Sequence, residues 1–268
     1  MTVERVLFVN QGITPYVNET HEAKIARDLP TSMQEKGIDT RMFVPKYGLI
    51  NDKKRYLHTV IRLSGQDIVI NNIAHTLVVK VTSLPVIQTQ TYFIYNDHYF
   101  DRKQMLADET GKLFSDNDER AIFYARGIFE TVRNLGWSPN VIHCHGWLSC
   151  FIPIFLKTVY ALNPLFAKTK VVYSVYNDHA TKSLSRKLAT KLNKSGIPLE
   201  DADLYKDVSY ENALKLAIDY SDAVVISHDE VSEGIRKHIN KRNKPFFVHA
   251  ENEHADNYLE LYNSILDK

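Results

Sequence analysis

The sequence predicts a doubly wound α/β domain: a mostly parallel sheet with helices on both faces and a small antiparallel β insertion. Three observations predict it. The first 45 residues read strand, helix, strand. From residue 118 onward, amphipathic helices alternate with short apolar strands. Between them, residues 57–95 break the alternation with several short strands in succession.

The opening strand is Val3 to Val9, apolar and β-branched as a buried parallel strand requires. Glu19 to Lys36 carries Ala23, Ile25, Ala26, Leu29 and Met33 at helical spacing, with Gly37 as the stop. Thr40 to Val44 completes a βαβ unit. Leu57–Leu63, Ile68–Ile73 and Thr76–Val81 read as short strands, with a hairpin turn expected at Gly65-Gln66 and a further strand at Tyr92–Tyr95. Asp118 to Leu135 is an amphipathic helix ended by Gly136. Asn140–Cys144 is a strand. Trp147–Leu162 is expected to form one apolar helix with Pro153 inside it. Lys170–Val175 and Ala223–Ile226 are strands, with helices at Ser209–Tyr220 and Glu230–Ile239. Phe246–His249 is a short strand, and Asn257–Leu266 is a last helix with a stripe of Tyr258, Leu261, Tyr262 and Ile265. Residues 177–207 are polar and carry no assignment. With no internal repeat or Pro/Gly-rich linker, residues 1–268 read as one domain.

Composition narrows the function classes. Apolar residues make up 44% of 268, enough for a sizeable core. Lys and Arg total 33 against 32 Asp and Glu, which argues against nucleic acid or an anionic membrane as partner. No apolar run approaches the roughly 18 residues of a membrane span, and the first residues lack the long apolar region of a signal peptide, so none is expected. Cys144 and Cys150 show no metal spacing, and a reducing, cytoplasmic location fits them. His143 and His145 are expected on opposite sides of their strand. His179, His249 and His254 read as surface or hydrogen-bonded histidines. No metal site and no cofactor is expected. There is no G-x-S-x-G elbow, no G-x-G-x-x-G and no Walker-type loop, which argues against a hydrolase, an NAD enzyme and a P-loop enzyme.

Several short runs point further. They are Val6-Leu7-Phe8-Val9, Pro15-Tyr16-Val17, Leu29-Pro30, Glu35-Lys36-Gly37 and Val44-Pro45-Lys46-Tyr47-Gly48. Tyr99-Phe100-Asp101-Arg102, Asp116-Asn117-Asp118-Glu119-Arg120 with Phe123, Ile142-His143-Cys144-His145 with Trp147, Asn177, and Ser221-Asp222-Ala223-Val224 follow in order. This ordered set, over about residues 3 to 236, resembles the ADP-glucose-using glycogen and starch synthases. The resemblance implies the Rossmann-like first lobe of a GT-B glycosyltransferase, the lobe that mainly holds the acceptor glucan. A second lobe, holding most of the nucleotide sugar, has no counterpart in this sequence.

The departures bear on function. Asn18-Glu19-Thr20-His21-Glu22 stands where the resembled family reads Lys-Thr-Gly-Gly-Leu. Glycines at a helix start let phosphate oxygens reach unpaired N–H groups, and a lysine adds full charge. Here both glycines and the lysine are gone and two carboxylates have arrived. A carboxylate at about 6 Å from a phosphate charge is unfavourable by roughly 0.7 kcal/mol in water-like dielectric and about 3 kcal/mol at an effective value of 20. The same segment reads as an ordinary helix start, with Asn18 as N-cap and Glu19 and Glu22 in the first turn. Lys24 replaces a family aspartate. Gly146 and Leu148 replace the Asp and second His of an HDWH motif, and Tyr176 replaces the His of TIHN.

Six aromatic residues, Tyr16, Tyr47, Tyr95, Tyr99, Trp147 and Tyr176, fall near predicted strand ends, where open α/β sheets hold ligands. Tyr16, Tyr47 and Trp147 lie inside retained motifs. With His145 and Asn177 they are the candidate glucan cleft; core and rim packing is the competing role for each ring. Residues 254–268 are a candidate for the closing helix that in GT-B enzymes returns to the first lobe, with an unrelated amphipathic cap as the alternative. These features lead to the expectation of a non-catalytic relative that binds α-glucan or regulates glycogen metabolism. The alternative is half of a split ADP-glucose:glucan glucosyltransferase needing a separate second lobe. A third reading is an interaction module, and a homo-oligomer is a further candidate assembly.

Overall fold

A computed structural model describes residues 2–83, 89–177, 184–198, 208–250 and 253–267. The central sheet has nine strands in the order β11-β10-β9-β8-β1-β2-β7-β6-β3. These are β1 (Arg5–Asn10), β2 (Asp39–Pro45), β3 (His58–Thr59), β6 (Val78–Ser83), β7 (Gln90–Tyr95), β8 (Val141–His145), β9 (Lys170–Val175), β10 (Ala223–Ile226) and β11 (Phe246–Val248). From β11 through β7 every pairing is parallel, and β6 and β3 add an antiparallel edge. The central parallel strands β1, β8, β9 and β10 are buried on both faces, which explains their continuous apolar runs.

The strand order positions the site. From β1 the chain steps to β2 on one side, then returns to place β8 on the other. The order therefore reverses between β1 and β8, and a crevice at the carboxyl ends of those strands follows from that reversal. Helix α1 (His21–Glu35) starts over this crevice and buries Ala23, Ile25, Ala26, Leu29 and Met33. Helix α3 (Asn117–Leu135) ends at Gly136, whose φ of 63° is the left-handed conformation that glycine adopts without penalty. The remaining helices are α2 (Asp97–Phe100), α4 (Ile152–Lys157), α5 (Leu188–Lys194), α6 (Tyr210–Tyr220), α7 (Glu233–Arg242) and α8 (Ala255–Leu266).

Three sequence expectations change. The hairpin turn is not at Gly65-Gln66. Strands β4 (Asp67–Ile70) and β5 (Ile73–Thr76) form a separate ribbon joined at Asn71-Asn72, whose φ angles are 48° and 69°. Asparagine tolerates the paired positive φ of a type I′ turn, so Asn-Asn does the work assigned to the glycine. The stretch Leu57–Leu63 is strand only at His58–Thr59, and Ile61–Leu63 is a 3-10 turn. The expected helix Trp147–Leu162 is broken into a 3-10 turn at Trp147–Ser149 and the short α4. Pro153 sits in the first turn of α4, where its missing N–H costs nothing.

Helix α8 lays Tyr258, Leu261, Tyr262, Ile265 and Leu266 inward, touching α1 and β9. Asn263 Oδ1 accepts from the Val3 backbone N–H at 2.9 Å, and Lys36 pairs with Asp256 at 2.6 Å. Cys144 and Cys150 are free and buried. Among the described residues no helix is long and apolar enough to cross a membrane, and no group of three His, Cys, Asp or Glu side chains is placed to hold a metal ion. His179 lies outside the described residues.

Candidate functional site at the strand crossover

The crevice is built from the segments that leave β1 and β8 and from the first turn of α1. Thr20, not Asn18, is the N-cap: its backbone is extended and its Oγ1 accepts from Ala23 N at 3.1 Å. The helix begins two residues later than expected, so Asn18 and Glu19 lie outside it. Glu19 is exposed and pairs with Lys24 at 2.6 Å. His21 reaches across the crevice and donates through Nε2 to the carbonyl of Ser227, beyond the end of β10, at 2.9 Å. Its ring lies edge-on to His228 and His249, with centroids 5.9 Å and 5.8 Å away.

Glu22 turns into the crevice. Gly146, immediately after β8, has φ 81° and ψ 165°, a region that only glycine adopts freely. A Cβ there would collide with Glu22 Oε1 and lie 2.7 Å from Gln11 Cβ. The carboxylate thus fills the room that a side chain at position 146 would need.

His143 and His145 point to the same side, contrary to expectation. Residues two apart on a strand share a face, and the two rings are 4.1 Å apart. Both are fully buried. His143 bonds the hydroxyls of Tyr262 (2.6 Å) and Ser174 (2.8 Å), and His145 bonds that of Tyr176 (2.8 Å). Burial, reinforced by His249, lowers His145 to a pKa of about 3. Burial foremost, then the nearby His145 and His249, pushes His143 well below its ordinary value. Both are neutral at physiological pH. His249 in turn bonds Tyr258 through Nδ1 at 2.7 Å.

The other cleft candidates are mostly interior. Tyr47 is fully buried and donates its hydroxyl to the Gln11 carbonyl at 2.8 Å. Trp147 is fully buried against Tyr210, centroids 4.4 Å apart. Tyr16 is 5% exposed, edge-on to Phe93 at 5.0 Å and beneath the Arg55 guanidinium. Asn177 is half-buried and donates to Glu230 Oε2 at 2.9 Å. Tyr99 and Tyr176 are buried, and Tyr95 lies under Lys46 and Lys80. The open space lies beside them: a cleft of about 570 Å³ between the segment leading from β1 into α1 (Gly12, Asn18, Thr20, Glu22) and the segment 103–108. Sequence reasoning missed Gln11, Ser227 and the 103–108 wall. The one available clue was the joint appearance of a glutamate at 22 and a glycine at 146.

The sequence model of the starch synthase catalytic domain family matches residues 5–244. This chain belongs to that family. A glycogen synthase from Chlorobium limicola is 37% identical over 220 residues, covering 81% of this chain and 44% of that protein. One from Chlorobium phaeobacteroides is 35% identical over 234 residues, covering 87% of this chain and 47% of that protein. The starch synthase family chain described here therefore spans about half the length of the curated relatives it matches. The catalytic domain of starch synthase IV from Arabidopsis thaliana, solved bound to ADP and acarbose, superposes with a TM-score of 0.74 at 18% identity, covering 96% of this chain and 53% of that one. The fold is thus one lobe of the GT-B architecture, a mostly parallel α/β sheet with its small antiparallel ribbon.

Proposed function

We propose that this glycogen synthase-like chain is a non-catalytic relative that binds an α-glucan or regulates glycogen metabolism. One observation carries the reading. The first turn of α1, which in an anion site leaves its N–H groups open to phosphate, here spends one of them on its own cap and sends a side chain across the crevice. Thr20 caps the Ala23 N–H, and His21 is tied to the Ser227 carbonyl. Lysine and both glycines of the resembled motif are absent there. The 570 Å³ cleft beside it has room for a sugar ring, with Val17, Leu49 and Met105 as apolar wall and Asn18 and Gln104 as hydrogen-bonding groups. A cytoplasmic location accords with this role. Native gel retardation in glycogen, with maltooligosaccharide as competitor, tests it. Retarded migration that the competitor reverses is the expected result; unretarded migration, or glucose incorporation from ADP-glucose by the chain alone, would overturn it.

The span of the match favours a second reading. The relatives are about twice as long as the stretch matched, and in this reading the chain is half of a split ADP-glucose:glucan glucosyltransferase. Helix α8 would then act as the crossing helix that closes the first lobe, as its packing on α1 and β9 allows. Glucose incorporation only on adding a separately expressed second lobe would favour that reading over the first. A homo-oligomer, read by light scattering, would supply the interface in a third way.

A further inference from the structure

The layer between the sheet and α8 is polar, and histidine–tyrosine bonds run through it. His143 on β8 and His249 after β11 each bond one tyrosine of the helix. His143 Nδ1 lies 2.6 Å from the Tyr262 hydroxyl, and its Nε2 lies 2.8 Å from that of Ser174 on β9. His249 Nδ1 lies 2.7 Å from the Tyr258 hydroxyl. His143, Tyr258 and Tyr262 are buried, and His249 is half-buried. Two further ties hold the helix: Asn263 to the Val3 N–H, and the exposed pair of Lys36 with Asp256. Helix α8 packs on α1 and β9 and contributes no strand, so it can part from the body without breaking a ladder bond.

A neutral imidazole has one donor and one acceptor nitrogen, which lets His143 satisfy Tyr262 and Ser174 at once. A second proton makes both nitrogens donors, reverses one of those bonds and places a charge where α8 excludes water. We infer that α8 is held by an acid-released clasp: neutral His143 and His249 grip the Tyr262 and Tyr258 hydroxyls, and protonation of the two rings frees the helix as a unit from a sheet that stays folded. The groups facing His143 are His145, Ser174 and the two α8 tyrosines. Those lining a cavity of about 350 Å³ with His249 include His21, Lys24 and Asp28 of α1, then Glu253 and Tyr258. His228 lies edge-on to His21, and Lys24 and Asp28 are engaged by Glu19 and Arg27. Burial, then His21, lowers the His249 pKa, and Glu253 offsets them only in part. His143 is lowered by burial, His145 and His249. With both rings below their ordinary value under the docked helix, release restores their proton affinity. The clasp is therefore complete above about pH 6.5 and loosens as pH falls below it. Release uncovers the stripe of Tyr258, Leu261, Tyr262 and Ile265.

Hydrogen exchange of the full chain, read by mass spectrometry at pH 7.5, 6.5 and 5.5 and corrected for the intrinsic rate, tests the clasp. One histidine released to its ordinary value makes the α8 opening equilibrium roughly tenfold larger between pH 7.5 and 5.5, and two make it roughly a hundredfold larger. A rise of at least about tenfold in α8, with β1 and β8 still protected, is expected. A smaller rise, or one that β1 and β8 share equally, overturns the inference. His143→Gln and His249→Gln should each shrink the rise, because glutamine hydrogen-bonds without taking up a proton in this range. If His143→Gln fails to fold, His249→Gln alone decides. His254→Gln, at the helix cap, and Asp256→Asn, which cuts the exposed ion pair, should leave the pH response in place. A rise that neither clasp variant reduces, or that either of these controls abolishes, would assign the acid response to other groups and overturn the clasp.

Discussion

Two regions of this chain use the same materials, charged side chains among aromatic rings, and put them to different ends. Around residues 96–120 the resembled motifs are retained, and their charges hold the frame. Arg102 grips Asp116 with two bonds of 2.8 and 2.6 Å. Arg120, fully buried, donates to the Tyr99 carbonyl at 2.8 Å, to the Met105 carbonyl at 2.6 Å and to Asn117 at 2.7 Å. Asp118 is paired with Lys191 at 2.7 Å. At the start of α1 the motifs have departed, and the new side chains fill a crevice. The contrast separates two meanings of resemblance. The retained motifs of the first kind build the framework of this chain. The departed ones change the chemistry at the start of α1, and membership in the family does not fix what that crevice accepts.

The frame should break hardest. Arg120→Ala removes three hydrogen bonds from a charged donor and leaves a cavity between Phe100 and Phe114, which its guanidinium faces at 5.3 Å each. A loss of about 3–5 kcal/mol is expected, read as a drop in the urea midpoint. A loss below ~1 kcal/mol would mean that the buried motif is not what holds the 101–116 segment. The crevice has its own breaking point. Gly146→Ala should cost about 2–4 kcal/mol, from the left-handed backbone strain and the collision with Glu22. Only the collision part can be returned by Glu22→Ala. A double-mutant cycle should therefore show a favourable coupling of roughly 1–2 kcal/mol, and strict additivity would show that the two residues do not share the space.

The same division marks what could be read in advance. Strand identity was legible because parallel strands buried on both faces are written as unbroken apolar runs: Lys170–Val175 and Ala223–Ile226 lie where the runs lie. The ribbon turn was not, because a glycine is the stronger turn signal and the Asn71-Asn72 pair carries the turn only in the context of the ribbon. The helix after β8 misled for a related reason: apolar residues from Trp147 to Leu162 are interior whether the chain is helical or bent, so burial alone did not fix periodicity. At the site, the overwritten segment was legible as a change of chemistry, but its geometry was not. The partners of His21 and Glu22 are Ser227 and Gly146, more than a hundred residues away. The shared face of His143 and His145 follows from strand periodicity, and the expectation of opposite faces was a misreading of it.

Acidification should separate the two regions by pH. Histidines 143 and 145 have folded pKa values below those of the unfolded chain. The unfolded state therefore binds more protons than the folded state as pH falls from about 6.5 towards the folded values. Their contribution is complete above about 6.5 and is lost progressively below it, at up to ~1.4 kcal/mol per pH unit for each histidine. In the frame, burial raises the Asp116 carboxyl, but the Arg102 hydrogen bonds and charge outweigh it and the net direction is down. That contribution is present above about pH 4 and is lost only below. Urea midpoints measured from pH 7.5 to 4.5 should fall with a slope that His143→Gln flattens and Arg102→Gln does not. A flat profile across that range would show that the buried pair does not govern stability there.

The smallest effect is the sharpest test of where the crevice begins. The sequence reading puts the N-cap at Asn18, and Thr20 is also a good N-cap residue by type. In the structure only Thr20 has the extended backbone and the bond to Ala23 N. Thr20→Ala should cost about 1 kcal/mol, and Asn18→Ala less than ~0.5 kcal/mol. The order matters beyond the cap. If α1 began at Asn18, Thr20 and His21 would lie within its first turn. Glu22 would then lie a full turn from the helix start. Equal losses, or a larger loss at Asn18, would therefore show that α1 does not start where Thr20 caps it.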